Sequence, residues 1–519
     1  MDAERPSPRA AIAQAVLAGT IAGACALAMA SGIPGLGDSD PYRHLAYARA
    51  LWESHLRLRG HPALPYTLLG HSGVDFWWGF HLLLGPFTLL GTVWGARLAG
   101  ACIAFVTAAS LCLLIRRLGG PLRWTWGVAP VLLSFAFAYR DQLARPAHLT
   151  VVLLLVQLAA GVGALPATWA FLAGAVHGWL HLSAPASVVF AGIGWAGAVA
   201  ASRRAPALAS LRPVAGALLG VLVGVTVRPG GLVYPRVALA EIRGDFGGLP
   251  HGGWELLPAP WDLVLEDVAP VLLLLLASAW LGRRRERFGT PATRAAALLA
   301  VAITGAMCLR AFRFVDYFVP FAVVAAALAW PRILPGSARA HRTGAAAATV
   351  LALLSVGLHL RTGWELGGSL FDPPRTYDEL AAEVRSRVPP GTLLFTLDPY
   401  VASVLYASLP DYRYPVAYDA AMFYLQDPAR FWAWHHLGSE VRFCPEPSCP
   451  PGAPSGAEAV ARTLGLFATD ALLSQSAFHA RLEAALAGAP ALFTAEATVE
   501  APVSGRWTLW RLRRPDQRR

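Results

Sequence analysis

The stretch Gly37-Asp38-Ser39-Asp40-Pro41-Tyr42-Arg43-His44 directly follows the first apolar segment of the chain. Two carboxylates stand one residue apart, and a proline, an aromatic side chain, an arginine and a histidine come after them. No other membrane-length segment in the sequence has so many ionisable side chains beside it. We therefore expect this loop to contain the functional centre, with the rest of the chain holding it against a substrate carried by lipid.

The remaining sequence is that of a polytopic membrane protein. Of its 519 residues, 55% are hydrophobic and only 14% are charged, and the mean hydropathy is +0.47. Soluble domains contain about a quarter charged residues, whereas repeated apolar runs of roughly 17–22 residues are long enough to cross a bilayer. The net charge of +11 resides largely in arginine clusters between apolar runs, so it indicates membrane topology and no nucleic-acid partner.

Arginine-rich loops predict the orientation of the chain, because such loops stay in the cytoplasm. They contain Arg116-Arg117, Arg203-Arg204, Arg212, Arg283-Arg284-Arg285, Arg287, Arg332, Arg339 and Arg342. All of these loops lie on the cytoplasmic side only if the apolar stretch 76–95 does not cross the membrane. Its Trp77, Trp78 and Pro86 suit a segment lying in the membrane interface.

About eleven spans are predicted on this basis, with the N-terminus in the cytoplasm. They are 11–33, 98–115, 124–139, 148–165, 167–183, 185–201, 213–228, 263–281, 294–309, 313–330 and 343–360. Ala28-Met29-Ala30 resembles a signal-peptidase site, but the apolar run is longer than a signal core, which favours an uncleaved anchor. We expect an integral protein of a bacterial inner membrane.

Three regions then lie outside the membrane: the first loop at 34–97, a Gly- and Pro-rich loop at 229–262, and the tail. The predicted fold class is mainly α, a polytopic helical bundle over 1–360 with a small extracytoplasmic α/β domain over 361–519. In the tail we predict a strand at Thr392–Leu397, helices at Pro399–Ser408 and Phe478–Leu486, and a hairpin of Leu492–Val499 with Arg506–Leu512 around Gly505.

Asp38 and Asp40 can support chemistry in two ways. Both can bind one hard divalent cation, Mg²⁺ or Mn²⁺, or one can act as a base while the other orients it. Donors linked through phosphate need such assistance, because negative charge builds on the leaving group. A solvated loop exit is the alternative for an isolated D-x-D sequence.

The segment from Asp38 to Leu45 resembles the first-loop motif of the GT-C superfamily of membrane glycosyltransferases. Its Asp40-Pro41-Tyr42-x-His44-Leu45 part is most similar to the catalytic subunit of oligosaccharyltransferase. The resemblance implies a helical membrane bundle, a polyprenyl phosphate or diphosphate sugar donor, and catalytic roles for Asp38 and Asp40. It also implies that Tyr42, Arg43 and His44 belong to the substrate site.

The tail departs from that resemblance. It lacks the WWDYG signature with which oligosaccharyltransferase recognises its acceptor, and Phe431-Trp432-Ala433-Trp434-His435-His436 does not replace it. We therefore expect a lipid, a glycan or another protein as the acceptor. Two other classes remain open: a transporter or flippase for lipid-linked glycans, and a non-catalytic membrane scaffold with an external binding domain.

The resemblance implies two further groups of site residues. Asp141 matches a second acidic residue in a short external loop, where it would join Asp38 and Asp40 at a cation site or orient the acceptor, and Arg145 follows in the same loop. Near 310, the resemblance implies an arginine that contacts the donor phosphate, and guanidinium groups suit that contact. The residues concerned are Arg310, Arg313 and Tyr317, with Arg313, Asp316 and Tyr317 on about one helical face.

Three other patterns give weaker predictions. His177 and His181 are four residues apart, a spacing that suits either metal binding or packing beside a polar cavity, and packing is favoured. Acids at Glu241, Asp245 and Glu255 occupy the loop in which related enzymes have a mobile gating segment. Cys444 and Cys449 lie in the polar tail and are predicted to form a disulfide in an oxidising compartment.

Overall fold

A computed structural model describes residues 7–202, 208–236, 239, 260–283, 286–331, 338–417 and 420–513. The chain is mostly helical, with one four-stranded sheet near its C-terminus. The predicted mainly α class and the small α/β unit in the tail are thus confirmed. Glu241, Asp245 and Glu255, the acids assigned to a gating loop, lie outside the described residues.

The helices up to residue 370 form the apolar bundle and the loops that connect it. In chain order they are α1 (Pro8–Ser31), α2 (Asp40–Glu53), α3 (Leu68–Ser72), α4 (Trp78–Leu84), α5 (Thr92–Arg117), α6 (Trp124–Leu133), α7 (Phe135–Asp141), α8 (Ala147–Gly161), α9 (Ala167–Leu180), α10 (Ala186–Ala201), α11 (Arg212–Val227), α12 (Trp261–Asp267), α13 (Ala269–Leu281), α14 (Pro291–Arg310), α15 (Val315–Ala329) and α16 (Ala338–Leu370). Short 3-10 turns occur at Gly85–Leu90, Leu208–Leu211 and Phe312–Phe314.

Four helices among the described residues are long and apolar enough to cross a membrane, and the bent pair α12–α13 makes a fifth if it is one span. The four are Pro8–Ser31, Thr92–Arg117, Pro291–Arg310 and Phe312–Ala329. Five of the eleven predicted spans correspond to these, while most of the others are shorter apolar helices. The stretch 76–95 forms α4 and a 3-10 turn, and its interfacial location stays a prediction.

The predicted span 124–139 is broken in the middle. Pro130 lies inside α6, and the backbone at Ser134 is extended before α7 begins. Asp267, at the end of α12, accepts hydrogen bonds from the Ser134 hydroxyl at 3.0 Å and from the Ala136 N–H at 2.6 Å. This buried carboxylate therefore satisfies groups that a continuous helix would have paired internally.

The tail contains six further helices and the sheet. The helices are α17 (Pro374–Arg387), α18 (Pro399–Ser408), α19 (Ala420–Gln426), α20 (Pro428–Glu440), α21 (Gly456–Leu466) and α22 (Ala480–Ala487). The strands are β1 (Leu394–Phe395), β2 (Ala471–Gln475), β3 (Phe493–Ala501) and β4 (Gly505–Leu512), in the order β1-β2-β4-β3.

The predicted hairpin at the end of the chain is confirmed. β3 and β4 pair antiparallel, and Gly505 has a φ of 72°, a conformation that glycine adopts without steric cost. The helix predicted at Pro399–Ser408 has those bounds, and the one predicted at Phe478–Leu486 begins at Ala480. Strand β2 was not predicted, and it joins β1 in parallel and β4 antiparallel.

The tail packs against the first loop, and the two share one hydrophobic core. Helix α18 lies on α2, and buried side chains of both regions form a single cluster. The Tyr414 N–H donates to the Ala63 carbonyl at 2.8 Å, and the Tyr66 hydroxyl donates to the Phe467 carbonyl at 3.0 Å. Helix α2 is therefore held by the tail as well as by the bundle. The domain boundary at 360/361, which falls within α16, stays a prediction.

Candidate functional site

Asp38 and Asp40 lie at the N-terminus of α2. The Oδ1 atom of Asp38 accepts a hydrogen bond from the Asp40 N–H at 2.8 Å, and Asp40 is the first helical residue. Carboxylates are stabilised there, because the first N–H groups of a helix lack internal partners and carry partial positive charge. Pro41 begins the turn without an N–H of its own to satisfy.

Two arginines neutralise this carboxylate pair. Arg145 Nη2 lies 2.7 Å from Asp38 Oδ2 and 3.1 Å from Asp40 Oδ2, so one guanidinium joins both acids. Arg43 Nη2 lies 3.5 Å from the other oxygen of Asp40. The acid side chains keep 27% and 19% of their surface exposed, whereas the Arg43 side chain is fully buried. The acids therefore face an accessible space with the arginines behind them.

A chain of hydrogen bonds continues from Arg43 into the first loop. Arg43 Nη2 lies 3.2 Å from His44 Nε2, His44 Nδ1 lies 2.8 Å from His81 Nε2, and His81 Nδ1 lies 2.6 Å from Asp75 Oδ2. One assignment of protons satisfies all three bonds. Each histidine is neutral, donates from Nδ1 toward Asp75, and accepts at Nε2. Arg43 is thus linked to a buried carboxylate through two imidazole rings.

Burial keeps this chain in that protonation state. Desolvation, assisted by the charge of Arg43, holds the pKa of His44 well below its ordinary value. His61 lies 3.7 Å from Asp75, and burial lowers its pKa to about 4 against the opposing effect of that carboxylate. Burial alone would raise the pKa of Asp75, but the neighbouring His81, which is hydrogen-bonded to it, and the nearby His61 hold that pKa far below its usual range.

The backbone before the motif is fixed from three directions. The Tyr139 hydroxyl donates to the Gly37 carbonyl at 2.6 Å, Arg97 donates to the Gly35 carbonyl at 3.2 Å, and the Tyr42 hydroxyl accepts from the Leu36 N–H at 3.0 Å. Tyr42 is buried, and burial raises its pKa to about 12. Its side chain supports the loop, and its predicted place in the substrate site stays a prediction.

A second acidic centre lies where α7, α8 and α15 meet. Arg140 Nε donates to both oxygens of Asp316, at 2.9 and 3.0 Å. His148 lies between the acids, 3.7 Å from Asp141 Oδ1 and 3.9 Å from Asp316 Oδ1. Among the described residues, Asp141 Oδ1 has no hydrogen-bond partner. Burial, and then the charge of Asp316, raises the pKa of Asp141 well above its ordinary value.

The other predicted site residues are dispersed. Arg310 is exposed at the end of α14, and Arg313 is half-buried in the 3-10 turn before α15. The predicted common face of Arg313, Asp316 and Tyr317 stays a prediction. Asp316 pairs with Arg140, whereas the Tyr317 hydroxyl lies 3.0 Å from the Thr150 hydroxyl.

His177 and His181 belong to a packed polar cluster. Both rings contact the Ser183 hydroxyl, at 2.9 and 2.7 Å, and the second nitrogen of His177 contacts the Ser187 hydroxyl at 2.8 Å. His181 follows the last residue of α9 and has an extended backbone. These contacts agree with the favoured packing role.

The predicted cation site at Asp38, Asp40 and Asp141 does not fit the observed arrangement. Three donors within 4.8 Å of one another occur in the tail of the described chain and not among these acids. Arg145 stands between Asp38 and Asp40, and Asp141 faces His148 in the other centre. A divalent cation bound by Asp38 and Asp40 would have to displace that guanidinium, so we derive no step through a metal.

Sequence reasoning missed the residues that organise these centres. Asp75 and His81 lie in the first loop, but 37 positions separate His44 from its partner His81 and no spacing signals the contact. His148 is the first residue of a predicted span and Arg97 the last residue of the predicted first loop, and the sequence suggested no role for either. A signal was nonetheless present, because ionisable residues within apolar segments are costly unless paired.

Comparison with known proteins shows which solved structures have a similar fold. No protein-family model matches the sequence, and no curated protein matches it. The apo structure of the Archaeoglobus fulgidus oligosaccharyltransferase is similar over 89% of this chain and 69% of its own, with a TM-score of 0.58 and 11% identity.

Two other solved structures are similar. Arabinofuranosyltransferase AftD from mycobacteria matches 97% of this chain and 40% of its own, with a TM-score of 0.56 and 15% identity. ArnT from Cupriavidus metallidurans bound to undecaprenyl phosphate matches 96% of this chain and 97% of its own, with a TM-score of 0.53 and 14% identity. The chain therefore has the fold of the GT-C glycosyltransferases and, with its apolar helices, is a membrane protein.

Proposed function

We propose that this protein transfers a sugar or glycan from a polyprenyl phosphate or diphosphate donor to an acceptor on the extracytoplasmic face of a membrane. One observation carries the proposal: a single guanidinium, that of Arg145, joins the half-buried Asp38 and Asp40 at the N-terminus of α2. The centre thus combines the Arg145 guanidinium, a group suited to binding phosphate, with two accessible carboxylates. The fold it shares with ArnT, whose structure contains undecaprenyl phosphate, supports a donor of that class.

Donor binding is proposed to rearrange the arginines. Guanidinium groups bind phosphate in the same forked manner as carboxylate. An arriving donor phosphate therefore competes with Asp38 and Asp40 for Arg145. As Arg145 turns to the phosphate, one oxygen of Asp40 is left free to accept a proton from the acceptor hydroxyl. Arg43 stays behind the acid, held through His44.

The transfer step is a single inverting displacement. The acceptor hydroxyl attacks the anomeric carbon on the face opposite the phosphate, and its proton passes to Asp40. The bond from the anomeric carbon to the phosphate oxygen breaks, and the polyprenyl phosphate or diphosphate leaves with the electron pair. Arg145 stabilises the charge that builds on the leaving group. Asp38 positions Asp40 through the bond to its N–H.

The second acidic centre is proposed to orient the acceptor and to fix α7 beside the first. Asp141 is buried, so its carboxylate is less accessible to an incoming hydroxyl than that of Asp40. Arg313 is proposed to contribute to donor binding. Its removal should raise the donor concentration needed for half-maximal rate, with little change in turnover at saturation.

A transfer assay on the purified full-length protein tests this function. The protein is reconstituted in proteoliposomes with radiolabelled polyprenyl-phosphate sugars and a lipid and glycan extract as the acceptor. Wild type should move label to the acceptor. Asp40→Asn keeps the side-chain shape, so transfer should fall by about 100–10,000-fold, as expected for loss of a positioned general base.

The exposed Asp411 in the tail supplies a matched control, because Asp411→Asn makes the same change away from the centre. It should transfer at the wild-type rate. If Asp40→Asn retained more than roughly a tenth of wild-type transfer, Asp40 would not be the base. If wild type transferred nothing yet moved labelled lipid between leaflets, the transporter class would replace the transferase, and loss of both activities would favour a scaffold.

A further inference from the structure

Three side chains with metal-binding atoms converge in the tail, away from the acidic centres. Cys444 and Cys449 lie in the loop after α20, and His436 lies on that helix, four residues before its end at Glu440. One ligand atom from each residue lies within 4.8 Å of the other two. His436 and Cys444 are buried, whereas Cys449 is half-buried. Thiolates around a tetrahedral Zn²⁺ are roughly 3.8 Å apart, since Zn–S bonds measure about 2.3 Å.

The surroundings of His436 prepare it to bind a metal. Its Nε2 atom lies 2.9 Å from the Glu446 carbonyl oxygen, so Nε2 carries the proton and donates it. Its Nδ1 atom is buried and has no hydrogen-bond partner in the described part of the chain. Metal-binding histidines typically have this arrangement, with one nitrogen fixed by a backbone carbonyl and a lone pair left on the other.

The loop around the two cysteines is already closed by the backbone. The Phe443 N–H donates to the Pro454 carbonyl at 2.9 Å, and the Gly456 N–H donates to the Val441 carbonyl at 3.0 Å. Cys444 and Cys449 lie inside this closed loop as free thiols. The disulfide predicted for them is therefore not formed in the structure. A third donor, His436, instead approaches both sulfurs, and a disulfide makes no use of a third donor.

We propose that His436, Cys444 and Cys449 bind a Zn²⁺ ion, with the Glu440 carboxylate as the fourth ligand. Glu440 is the last residue of α20, and its Oε1 atom lies 3.5 Å from His436 Nδ1. Two sulfurs, one imidazole and one carboxylate make a four-coordinate set that suits Zn²⁺. The site lies in the tail, and its role is structural: it joins the end of α20 to the 443–454 loop.

Metal analysis of the full-length protein tests this site. The protein is purified in detergent from cells grown with Zn²⁺, without reductant or chelator, and its metal content is measured. Wild type should contain about one Zn²⁺ per chain, as a closed four-ligand site requires. The double variant Cys444→Ser/Cys449→Ser and the single variant His436→Asn should contain none. Cys102→Ser, which removes an exposed cysteine of α5, should keep the ion.

Two further measurements test the zinc site even if one of the variants folds poorly. In wild type, a zinc chelator should make both thiols reactive and lower the melting temperature, because metal binding contributes to folding stability. Replacement by Co²⁺ should give thiolate-to-cobalt absorption that His436→Asn alters. A Cys444–Cys449 disulfide in the unreduced protein, or thiols that react fully without chelator, would overturn the proposal. Transfer activity is not needed for either readout.

Discussion

The two acidic centres use the same residue types in opposite surroundings. At the N-terminus of α2, Arg145 joins Asp38 and Asp40, and both acids keep part of their surface exposed. Between α7, α8 and α15, Arg140 is committed to Asp316, and Asp141 is buried beside His148. The first centre can exchange partners with a ligand, whereas a buried ion pair loses much free energy when it is opened.

Because of this difference, we expect the two acidic centres to have different roles. Under the proposed function, a donor phosphate would meet two carboxylates that keep 27% and 19% of their surface exposed, so these acids can change partners more readily than the buried ones. The buried centre instead fixes the relative positions of three helices. The predictions below separate these roles, because changes in the first centre should act mainly on rate, whereas changes in the second should also act on stability.

The largest effect on stability is expected from Asp316→Asn. This change removes the carboxylate that Arg140 contacts through both oxygens and leaves a buried guanidinium without it. Breaking a buried pair in this way typically costs about 3–5 kcal/mol in the free energy of unfolding. Denaturant unfolding in detergent measures the change. Glu379→Gln, which breaks an exposed pair with Arg375, supplies the control and should leave unfolding nearly unchanged.

Arg145→Gln should act on transfer rather than on stability. The variant loses the charged contact to the donor phosphate, which is typically worth about 1.5–3 kcal/mol. We therefore expect kcat/KM for the donor to fall by roughly 10–150-fold while the melting temperature changes little. Arg462→Gln removes an exposed arginine of α21 and should leave kcat/KM unaltered. A large loss of stability without a kinetic change would place Arg145 in a structural role.

Asp141→Asn should change how stability depends on pH. The pKa of Asp141 is raised in the folded protein by burial and by Asp316, whereas the unfolded chain titrates near about 3.9. The carboxyl therefore stabilises the fold at pH values below about 3.9, and this contribution is lost as pH rises toward the raised folded pKa.

Melting temperature measured from pH 4 upward checks this sign. Wild type should lose more stability than Asp141→Asn as the pH rises, because the variant has no proton to release. Asp411→Asn should follow the wild-type curve. Parallel curves for wild type and Asp141→Asn would show that Asp141 is ionised in the folded protein at an ordinary pKa.

The smallest effect is expected from divalent cations at the first centre. Arg145 supplies positive charge between Asp38 and Asp40 where a cation would bind. Adding Mg²⁺ or Mn²⁺ to protein freed of both ions by dialysis should leave the initial transfer rate unchanged. A rate that appears only with one of these ions, and saturates with it, would restore the cation site predicted from the D-x-D sequence.

Sequence alone predicted the features that depend on neighbouring residues. The helix at Pro399–Ser408 and the hairpin around Gly505 follow from local composition and turn chemistry. The acidic motif was expected in a loop, whereas Asp40 is the first residue of α2. Strand β2 was missed because Ala-Leu-Leu-Ser-Gln has no β-branched or aromatic residue to distinguish it from a helix.

Features that depend on contacts between residues far apart in the chain could not be predicted from the sequence. The break in the 124–139 span requires Asp267, which lies 133 positions from Ser134. The link from Arg43 to Asp75 requires α2 and α4 to fold against each other, and no periodic pattern encodes that contact. The cation site predicted at Asp38, Asp40 and Asp141 stays a prediction; in the structure Asp141 lies 3.7 Å from His148.

The docking of the tail on the first loop has a consequence for the order of synthesis. Tyr66 contacts Phe467, a residue 401 positions later, and α2 packs on α18. The loop with the carboxylate pair emerges from the ribosome early, but it acquires these neighbours only after residue 467 has been made. A chain truncated before residue 399 should therefore insert its apolar helices and still lack a rigid α2.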